Sequence, residues 1–387
     1  MIAKPFFTGF FRIAAVMALT LTAGPAMTRE PGWVPHLQAR GIRVSAGVWE
    51  LDTGKLIEGY QTELGLVPAS TTKVVSSYAI LRTLKPDYQW STTVLGDLQK
   101  GAVTGDLVIV GGGDPFFTNE HIWMLARELK AKGVSKVAGS LRLDQSAFDS
   151  QRYGTGWENT SSDTTPPILP LSVNFNRTAR GNITREPEKL AMDVITAIFQ
   201  NVGITFEGKP DGGGQKTVIA TYKSPTLHSL TNSVNKISNN FMTEMLVKNF
   251  GAGSWARGIA RIQDFYKTNL GLEPSDIHIT DGSGLSKLNR LSARTLSIIL
   301  RAAWHDFEVG PEFVASLKYI GAEPNDPRIK DPNLTRRVRC KTGHLDNVDT
   351  MCGYIHMPDG SMRVFAILLN GPCTWQDVEY ILKVWAN

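Results

Sequence analysis

Hydrophobic and polar residues alternate from Val44 to Val48, and this two-residue period predicts a β-strand over 43–49. Asp52-Thr53-Gly54 is a turn signal, and the apolar pair Leu56-Ile57 after it predicts a second strand. The two segments together predict a β-hairpin.

A helical pattern follows this hairpin. Apolar residues from Val74 to Leu81 predict a helix that begins near Ser70 and ends near Leu84, before Pro86. The N-terminus of such a helix offers unpaired backbone N–H groups and the positive end of the helix dipole.

Between residues 91 and 223 the pattern changes to short elements separated by loops rich in Gly, Pro, Ser and Thr. The predicted strands cover 92–95, 106–110, 139–143 and 217–222, and the predicted helices cover 118–132 and 188–200. The run Gly111-Gly112-Gly113 is not followed by the Gly-Lys-Ser/Thr of a phosphate-binding loop, so we interpret it as a tight turn. The change of pattern predicts an inserted domain of mixed α/β character over 91–223.

Longer helical patterns return after residue 224 and precede three further strands. The predicted helices cover 226–250, 255–270, 294–304, 312–319 and 375–385, and the predicted strands cover 337–342, 350–356 and 362–369. With the first hairpin and helix, these segments form a second body of helices and strands over 27–90 and 224–387. The chain therefore belongs to the mixed α and β class (α/β or α+β).

Composition and charge narrow the functional classes. The 387 residues are 42% hydrophobic and 20% charged, as in an ordinary soluble globular protein. The net charge is +5, and without Lys4 and Arg12 it is +3, which is too small to indicate a nucleic-acid partner.

The first 26 residues have the pattern of a signal peptide. Lys4 and Arg12 are basic, 13–21 is apolar, and Ala23-Gly24-Pro25-Ala26 is a small-residue cleavage site. The apolar stretch is short for a membrane span of about 20 residues, although an uncleaved anchor is the alternative. We expect export across the inner membrane to the periplasm, and peripheral contact with the membrane stays open.

Three cysteines (Cys340, Cys352 and Cys373) leave at least one unpaired, and the sequence does not indicate which residues pair. The chain contains no Cys-x-x-Cys and no His-Glu-x-x-His, so we expect no metal site and no cofactor. A Gly-x-Ser-x-Gly elbow is also absent, which argues against a Ser-His-Asp hydrolase.

Ser70-Thr71-Thr72-Lys73 is the first candidate for chemistry. Residues three apart share a helix face, so the Lys73 amine is expected beside the Ser70 hydroxyl. A buried lysine with a lowered pKa can take the serine proton and so activate a nucleophile without histidine. The alternative interpretation is structural, with Ser70 as a helix cap and Lys73 in solvent, and Ser233-Val234-Asn235-Lys236 matches the same pattern.

Two downstream motifs favour the catalytic interpretation. Lys341-Thr342-Gly343 lies at the end of a predicted strand, where a cation and a hydroxyl can bind a peptide carboxylate and glycine permits close approach. Ser238-Asn239-Asn240 offers a hydroxyl that can relay a proton and an amide that can hold a peptide group.

Ser-x-x-Lys, Ser-x-Asn and Lys-Thr-Gly in this order are the signature of penicillin-binding proteins and serine β-lactamases. The chain resembles the penicillin-binding protein 4 type of low-molecular-mass D-alanyl-D-alanine carboxypeptidase/endopeptidase over nearly its whole mature length. Further matching blocks are Gly111-Gly112-Gly113-Asp114-Pro115, Glu244 after the second motif, Asp281-Gly282-Ser283-Gly284-Leu285-Ser286 and Asn289-Arg290-Leu291-Ser292.

The resemblance implies a transpeptidase/β-lactamase-like domain, with an antiparallel sheet covered by helices and an insertion between the first two motifs. The domains would then be 1–26 (signal peptide), 27–90 with 224–387 (catalytic) and 91–223 (inserted). It also implies peptidoglycan peptides as substrate and β-lactams as covalent inhibitors. The sequence does not indicate the oligomeric state.

The family mechanism carries over residue by residue as an expectation. Ser70 would attack the carbonyl between two terminal D-alanines with Lys73 as general base, and Ser238 would assist proton delivery to the leaving amine. Asn240 would orient the acyl side. The substrate-binding residues would be Lys341 and Thr342 for the carboxylate, Gly343 for close approach, and the backbone N–H groups of Ser70 and His344 for the oxyanion.

Three departures from the family pattern matter. Ser-Asn-Asn replaces Ser-Asp-Asn, which should be harmless because the first and third residues carry the function. His344 stands where a Ser or Thr is common, so a hydroxyl contact is lost. The segment 164–167 lacks a tyrosine expected near the cleft, so the sequence does not show how the third residue of the stem peptide is recognised.

Two other functions stay as alternatives. A serine β-lactamase would need a deacylating carboxylate, and Glu158-Asn159 matches the expected Glu-x-x-Asn poorly. A β-lactam sensor or cell-wall-binding module would not need Ser70, Lys73 and Lys341 together. The prediction is therefore a serine D-Ala-D-Ala carboxypeptidase and/or endopeptidase.

Overall fold

The predicted first hairpin forms in the computed structural model, which describes residues 30–157, 165–210, 214–322 and 328–387. Pro31–Asn387 makes one compact unit. The predicted signal peptide, Glu158-Asn159 and Thr164 lie outside the described residues.

The strands are β1 Arg43–Glu50, β2 Leu56–Tyr60, β3 Ser91–Gly96, β4 Leu98–Gln99, β5 Ala102–Val103, β6 Leu107–Val110, β7 Lys136–Val137, β8 Leu141–Asp144, β9 Thr205–Phe206, β10 Thr217–Lys223, β11 Lys318–Tyr319, β12 Val338–Leu345, β13 Val348–His356 and β14 Met362–Asn370. The helices are α1 Val34–Ala39, α2 Thr72–Leu84, α3 Asn119–Ala131, α4 Pro187–Asn201, α5 Leu227–Lys236, α6 Asn240–Phe250, α7 Trp255–Leu270, α8 Ala293–His305, α9 Gly310–Ser316 and α10 Trp375–Ala386. Short 3₁₀ turns lie at Ala69–Thr71, Asn174–Asn176 and Pro332–Leu334.

The main sheet has the strand order β11-β12-β13-β14-β1-β2, and every neighbouring pair is antiparallel. Successive residues of β14 alternate between two apolar clusters, because side chains of a strand point to opposite faces. One cluster contains residues of α1 and α10, and the other contains residues of α2 and α5–α9. The sheet is thus covered by helices on both faces.

Residues between 91 and 223 form two further four-stranded sheets, β10-β3-β6-β8 and β4-β5-β7-β9. Their apolar side chains make a cluster of their own, whose buried members all lie between Val94 and Ala220. α3 and α4 contribute their apolar faces to this cluster. The assignment of 91–223 as a separate inserted domain stays a prediction.

Two predicted helices differ from the structure. The pattern over 226–250 is split into α5 and α6, because Ser238 has a left-handed backbone (φ 62°) that a helix cannot contain. The predicted helix at 312–319 ends at Ser316, and Lys318–Tyr319 pairs with β12 instead. Short elements such as α1 and β4 lie in segments with too little periodicity to predict.

No disulfide forms among the described cysteines. Cys340 and Cys352 belong to adjacent strands but to opposite faces of the sheet, which separates their side chains. Among the described residues, no helix has the length and apolar character needed to cross a membrane.

Candidate active site

Ser70 lies in a tight turn at the start of α2. Ala69 has a left-handed backbone (φ 46°), which is uncommon for a residue with a Cβ, and a 3₁₀ turn over Ala69–Thr71 leads into the helix. Pro68 O holds this turn by accepting hydrogen bonds from the backbone N–H (3.2 Å) and the hydroxyl (2.6 Å) of Thr71. Such local strain is typical of functional sites.

The Lys73 side chain is fully buried beneath Ser70. Its Nζ lies 2.8 Å from Ser70 Oγ, 2.7 Å from Asn240 Oδ1 and 2.7 Å from the Ser283 carbonyl oxygen. An ammonium donates to all three oxygens. A neutral amine donates to the amide and carbonyl oxygens and accepts from the Ser70 hydroxyl. The same geometry therefore satisfies both protonation states.

Burial lowers the pKa of Lys73 from 10.5 to about 7, while the nearby carboxylates of Glu244 and Asp281 act in the opposite direction. Removing an ammonium from water disfavours its charged form, and here this effect outweighs the two acidic neighbours. A large part of the protein thus carries a neutral Lys73 amine at neutral pH, which is the form that can accept a proton from Ser70.

The second motif spans the break between α5 and α6. Ser238 occupies the left-handed position in this break, and Asn239 caps α6 by accepting a hydrogen bond from Met242 N at 3.0 Å. Asn240 begins the helix and its Oδ1 accepts from Lys73. Asn and Asp are equally good N-caps, which explains why Ser-Asn-Asn can replace Ser-Asp-Asn.

Lys341 approaches the same cleft from β12. Its buried Nζ donates to Ser238 Oγ at 2.9 Å and to the Thr342 carbonyl oxygen at 2.7 Å. Burial lowers the pKa of Lys341 well below its usual value, and the charge of Lys73 lowers it further. The motif lies within β12 rather than at its end, because β12 continues to Leu345.

Gly343 lies against the Ser70 turn. A Cβ at this position would lie 2.8 Å from Ser70 N and 2.3 Å from Thr350 Oγ1, so no larger residue fits. The Thr350 hydroxyl in turn donates to Pro68 O at 2.7 Å. The exposed His344 side chain contacts Asp349, with 2.7 Å between His344 Nδ1 and Asp349 Oδ1.

The loop 281–286 supports Lys73, a role that the sequence did not reveal. Glu244, one helical turn after Asn240, accepts hydrogen bonds from Ser283 N (2.6 Å) and Gly282 N (3.1 Å). Burial and the charge of Asp281 raise the pKa of Glu244. These bonds fix the Ser283 carbonyl that accepts from Lys73.

The Asp281 carboxylate holds the same loop together by hydrogen bonds. It accepts from Gly284 N, Ser286 N, Asn289 Nδ2 and Trp157 Nε1, at 2.7–2.9 Å. The sequence marked Glu244 and the block 281–286 only as matches to the family pattern, and it did not indicate that they support Lys73.

A cavity of about 250 Å³ borders the second motif on the side of residues 166–177. Its walls include Ser238, Asn240 and Phe241 on one side and Phe175 and Arg177 on the other. A left-handed turn over 174–176 brings Phe175 against Phe241, with ring centres 5.9 Å apart. The cleft thus continues beyond Asn240 into a polar pocket with one basic wall.

Residues 36–181 and 171–385 match the D-Ala-D-Ala carboxypeptidase 3 (S13) family. The chain belongs to this family. The resemblance drawn from the motifs is therefore confirmed, and the S13 chain is a serine hydrolase of the carboxypeptidase/endopeptidase type.

Individual relatives agree with the family assignment. A D-alanyl-D-alanine carboxypeptidase from an Actinomadura species is 26% identical, with 84% of this chain and 78% of the relative covered. Penicillin binding protein 4 from Haemophilus influenzae has a similar structure (TM-score 0.81, 19% identity, 92% of this chain and 100% of the other). The same protein is also known in complex with a β-lactam (TM-score 0.75, 20% identity, again 92% and 100%). A predatory endopeptidase from Bdellovibrio bacteriovorus is more distant (TM-score 0.65, 18% identity, 89% and 94%). These structures confirm the predicted fold class.

The sequence led us to expect no metal. Among the described residues, no three His, Cys, Asp or Glu side chains are grouped to hold a metal ion.

Proposed function

We propose that this S13 protein is a periplasmic enzyme that hydrolyses peptidoglycan stem peptides or cross-links after a D-alanine, and that β-lactams acylate it. The observation that carries the proposal is the hydrogen-bonded chain of Ser70, Lys73 and Asn240, with Ser238 and Lys341 beside it. The predicted signal peptide supports an extracytoplasmic location.

Acylation would begin with the neutral Lys73 amine. The Ser70 oxygen attacks the carbonyl carbon between the two terminal D-alanines while its proton passes to Lys73. The backbone N–H groups of Ser70 and His344 stabilise the oxyanion. Asn240 would hold the acyl-side peptide group.

Breakdown of the tetrahedral intermediate would release the leaving amine. That amine would take up a proton from the Ser238 hydroxyl, which contacts Lys341, and the proton that Lys73 took from Ser70 would in turn restore Ser238. Water then hydrolyses the Ser70 ester and regenerates the enzyme. Thr342 and Lys341 would bind the carboxylate of the leaving residue.

The cavity bordered by Arg177 would receive the acyl part of the substrate. It adjoins Asn240, the residue proposed to hold the acyl-side amide. The residue preceding the penultimate D-alanine would therefore extend toward Phe175 and Arg177.

The test is covalent labelling by a fluorescent penicillin, followed by digestion of purified muropeptides with analysis by mass. We expect the wild type and Ser233→Ala to be labelled and Ser70→Ala to remain unlabelled, because Ser233 belongs to the other Ser-x-x-Lys match. Release of D-alanine indicates carboxypeptidase activity, and conversion of dimers to monomers indicates endopeptidase activity. A folded wild type that is neither labelled nor active would refute the proposal.

A further inference from the structure

Thr342, the proposed carboxylate ligand, has a basic neighbour from outside the three motifs. Arg328 Nη1 donates to Thr342 Oγ1 at 3.3 Å. The guanidinium carbon of Arg328 lies 5.4 Å from the ring centre of Trp375. A planar guanidinium stacks well on an aromatic face, so Trp375 helps to fix its orientation beside the threonine.

Electrostatics support the position of Arg328 at the cleft. The pKa of Lys341 is lowered mainly by burial and by the charge of Lys73, and the charge of Arg328 contributes in the same direction. Arg328 thus brings a guanidinium charge to a region in which burial lowers the pKa of both Lys73 and Lys341. Such a region favours an anion over a neutral group.

The residue after Lys-Thr-Gly does not provide the missing hydroxyl. The His344 ring is bound to the carboxylate of Asp349, and it lies 6.3 Å from the Trp375 ring at an angle of 36°. A carboxylate bound near His344 alone would face the negative charge of Asp349. Arg328 and His344 both lie near the Trp375 ring, so Arg328 supplies a positive charge in the neighbourhood of the residue that carries a hydroxyl in the family pattern.

We propose that Arg328 is a specificity residue that binds, together with Thr342, the carboxylate of the leaving amino acid. This assignment rests on the proposed function. Arginine pairs with a carboxylate through two parallel hydrogen bonds, which fix the orientation of the anion as well as its charge.

The position fits the chemistry of the substrate. In a leaving α-amino acid, the carboxylate is attached to the carbon that carries the scissile nitrogen. Thr342 precedes Gly343, which abuts the backbone N–H of Ser70. One residue of a strand spans about 3.3 Å, so Thr342 lies close to the Ser70 turn, and Arg328 is joined to it through the hydrogen bond to the Thr342 hydroxyl.

The test uses two thioesters of the same Nα-acyl-D-alanine, one with 2-mercaptoacetate and one with 2-mercaptoacetamide as leaving group. They differ only in the carboxylate, and thioesters react readily enough for both rates to be measured. We expect Arg328→Gln to lower kcat/KM for the carboxylate thioester by about 10- to 100-fold and to leave the amide thioester nearly unchanged. Arg328→Lys keeps the positive charge but cannot form the two parallel hydrogen bonds, so it should recover only part of the lost kcat/KM.

Arg127→Gln is the matched control, because Arg127 also stacks on a tryptophan (Trp123, 5.7 Å) but on the exposed side of α3. It should leave the ratio of the two rates unchanged. An Arg328→Gln variant with an unchanged ratio, whether both rates fall equally or neither falls, would overturn the assignment. A wild type that hydrolyses neither thioester and takes no penicillin label would instead overturn the proposed function and this assignment with it.

Discussion

The amine of Lys73 and the hydroxyl of Ser70 are 2.8 Å apart, and the amine is shielded from water on every side. An amine with the ordinary lysine pKa of 10.5 would be almost entirely protonated at neutral pH and unable to accept a proton. Burial brings the pKa to about 7, and this makes the contact usable for proton transfer.

The pH dependence of acylation follows from this shift. Because the neutral fraction of Lys73 falls about tenfold per pH unit below its pKa, the second-order rate constant for acylation by a fluorescent penicillin should fall likewise below pH 7. Above pH 7 it should reach a plateau. Labelling stopped at fixed times between pH 5 and pH 9 measures this rate constant. A rate constant that still rises steeply up to pH 9 would contradict the assignment of Lys73 as base.

Replacing Lys73 by Met keeps an unbranched side chain that is one atom shorter and removes the amine. We expect the acylation rate constant to fall by about 10² to 10⁴, the usual contribution of a general base. Lys236→Met, in the second Ser-x-x-Lys match, serves as control and should acylate at the wild-type rate. Equal rates for both variants would mean that the Lys73 amine takes no part in the reaction.

Asn239 is expected to contribute through helix capping and not through chemistry. Asn239→Ala removes the acceptor for Met242 N and should lower the free energy of unfolding by about 1 kcal/mol. Asn239→Asp preserves the cap and should be as stable as the wild type. Urea unfolding monitored by circular dichroism measures both, and a destabilised Asn239→Asp would disprove the explanation given for Ser-Asn-Asn.

The variants Gly284→Ala and Gly181→Ala distinguish the cost of a strained backbone from the cost of a steric clash. Both glycines have a left-handed backbone (φ 82° and 83°), but a Cβ at Gly284 would lie 1.8 Å from Ala69 O, whereas a Cβ at Gly181 meets nothing within 4 Å. Gly181→Ala should cost only the conformational strain, roughly 1–2 kcal/mol. Gly284→Ala should cost more and also slow penicillin labelling by displacing the Ser70 turn. Equal losses of stability, with labelling intact, would show that Gly284 does not support this turn.

Much of the fold follows from local pattern. The β1–β2 hairpin, α2, α7, α10 and the three strands after residue 337 form close to the predicted bounds, because each carries a strong two-residue or helical period. The break at Ser238 was not predicted, since a left-handed residue between two helical patterns leaves no periodic signal. β11 was assigned to a helix because its extended form depends on pairing with β12.

The sequence by itself determined the identity of the three motifs, their order and the helix that begins next to Ser70 and carries Lys73, since these depend on residues close together along the chain. Only the tertiary structure decided that Lys341 contacts Ser238, that Glu244 and Asp281 hold the carbonyl facing Lys73, and that Arg328 reaches Thr342. These contacts join residues on separate elements, and their distances depend on how the helices pack on the sheet. The pKa of Lys73 has the same origin, because burial is a property of the assembled core and not of any short segment.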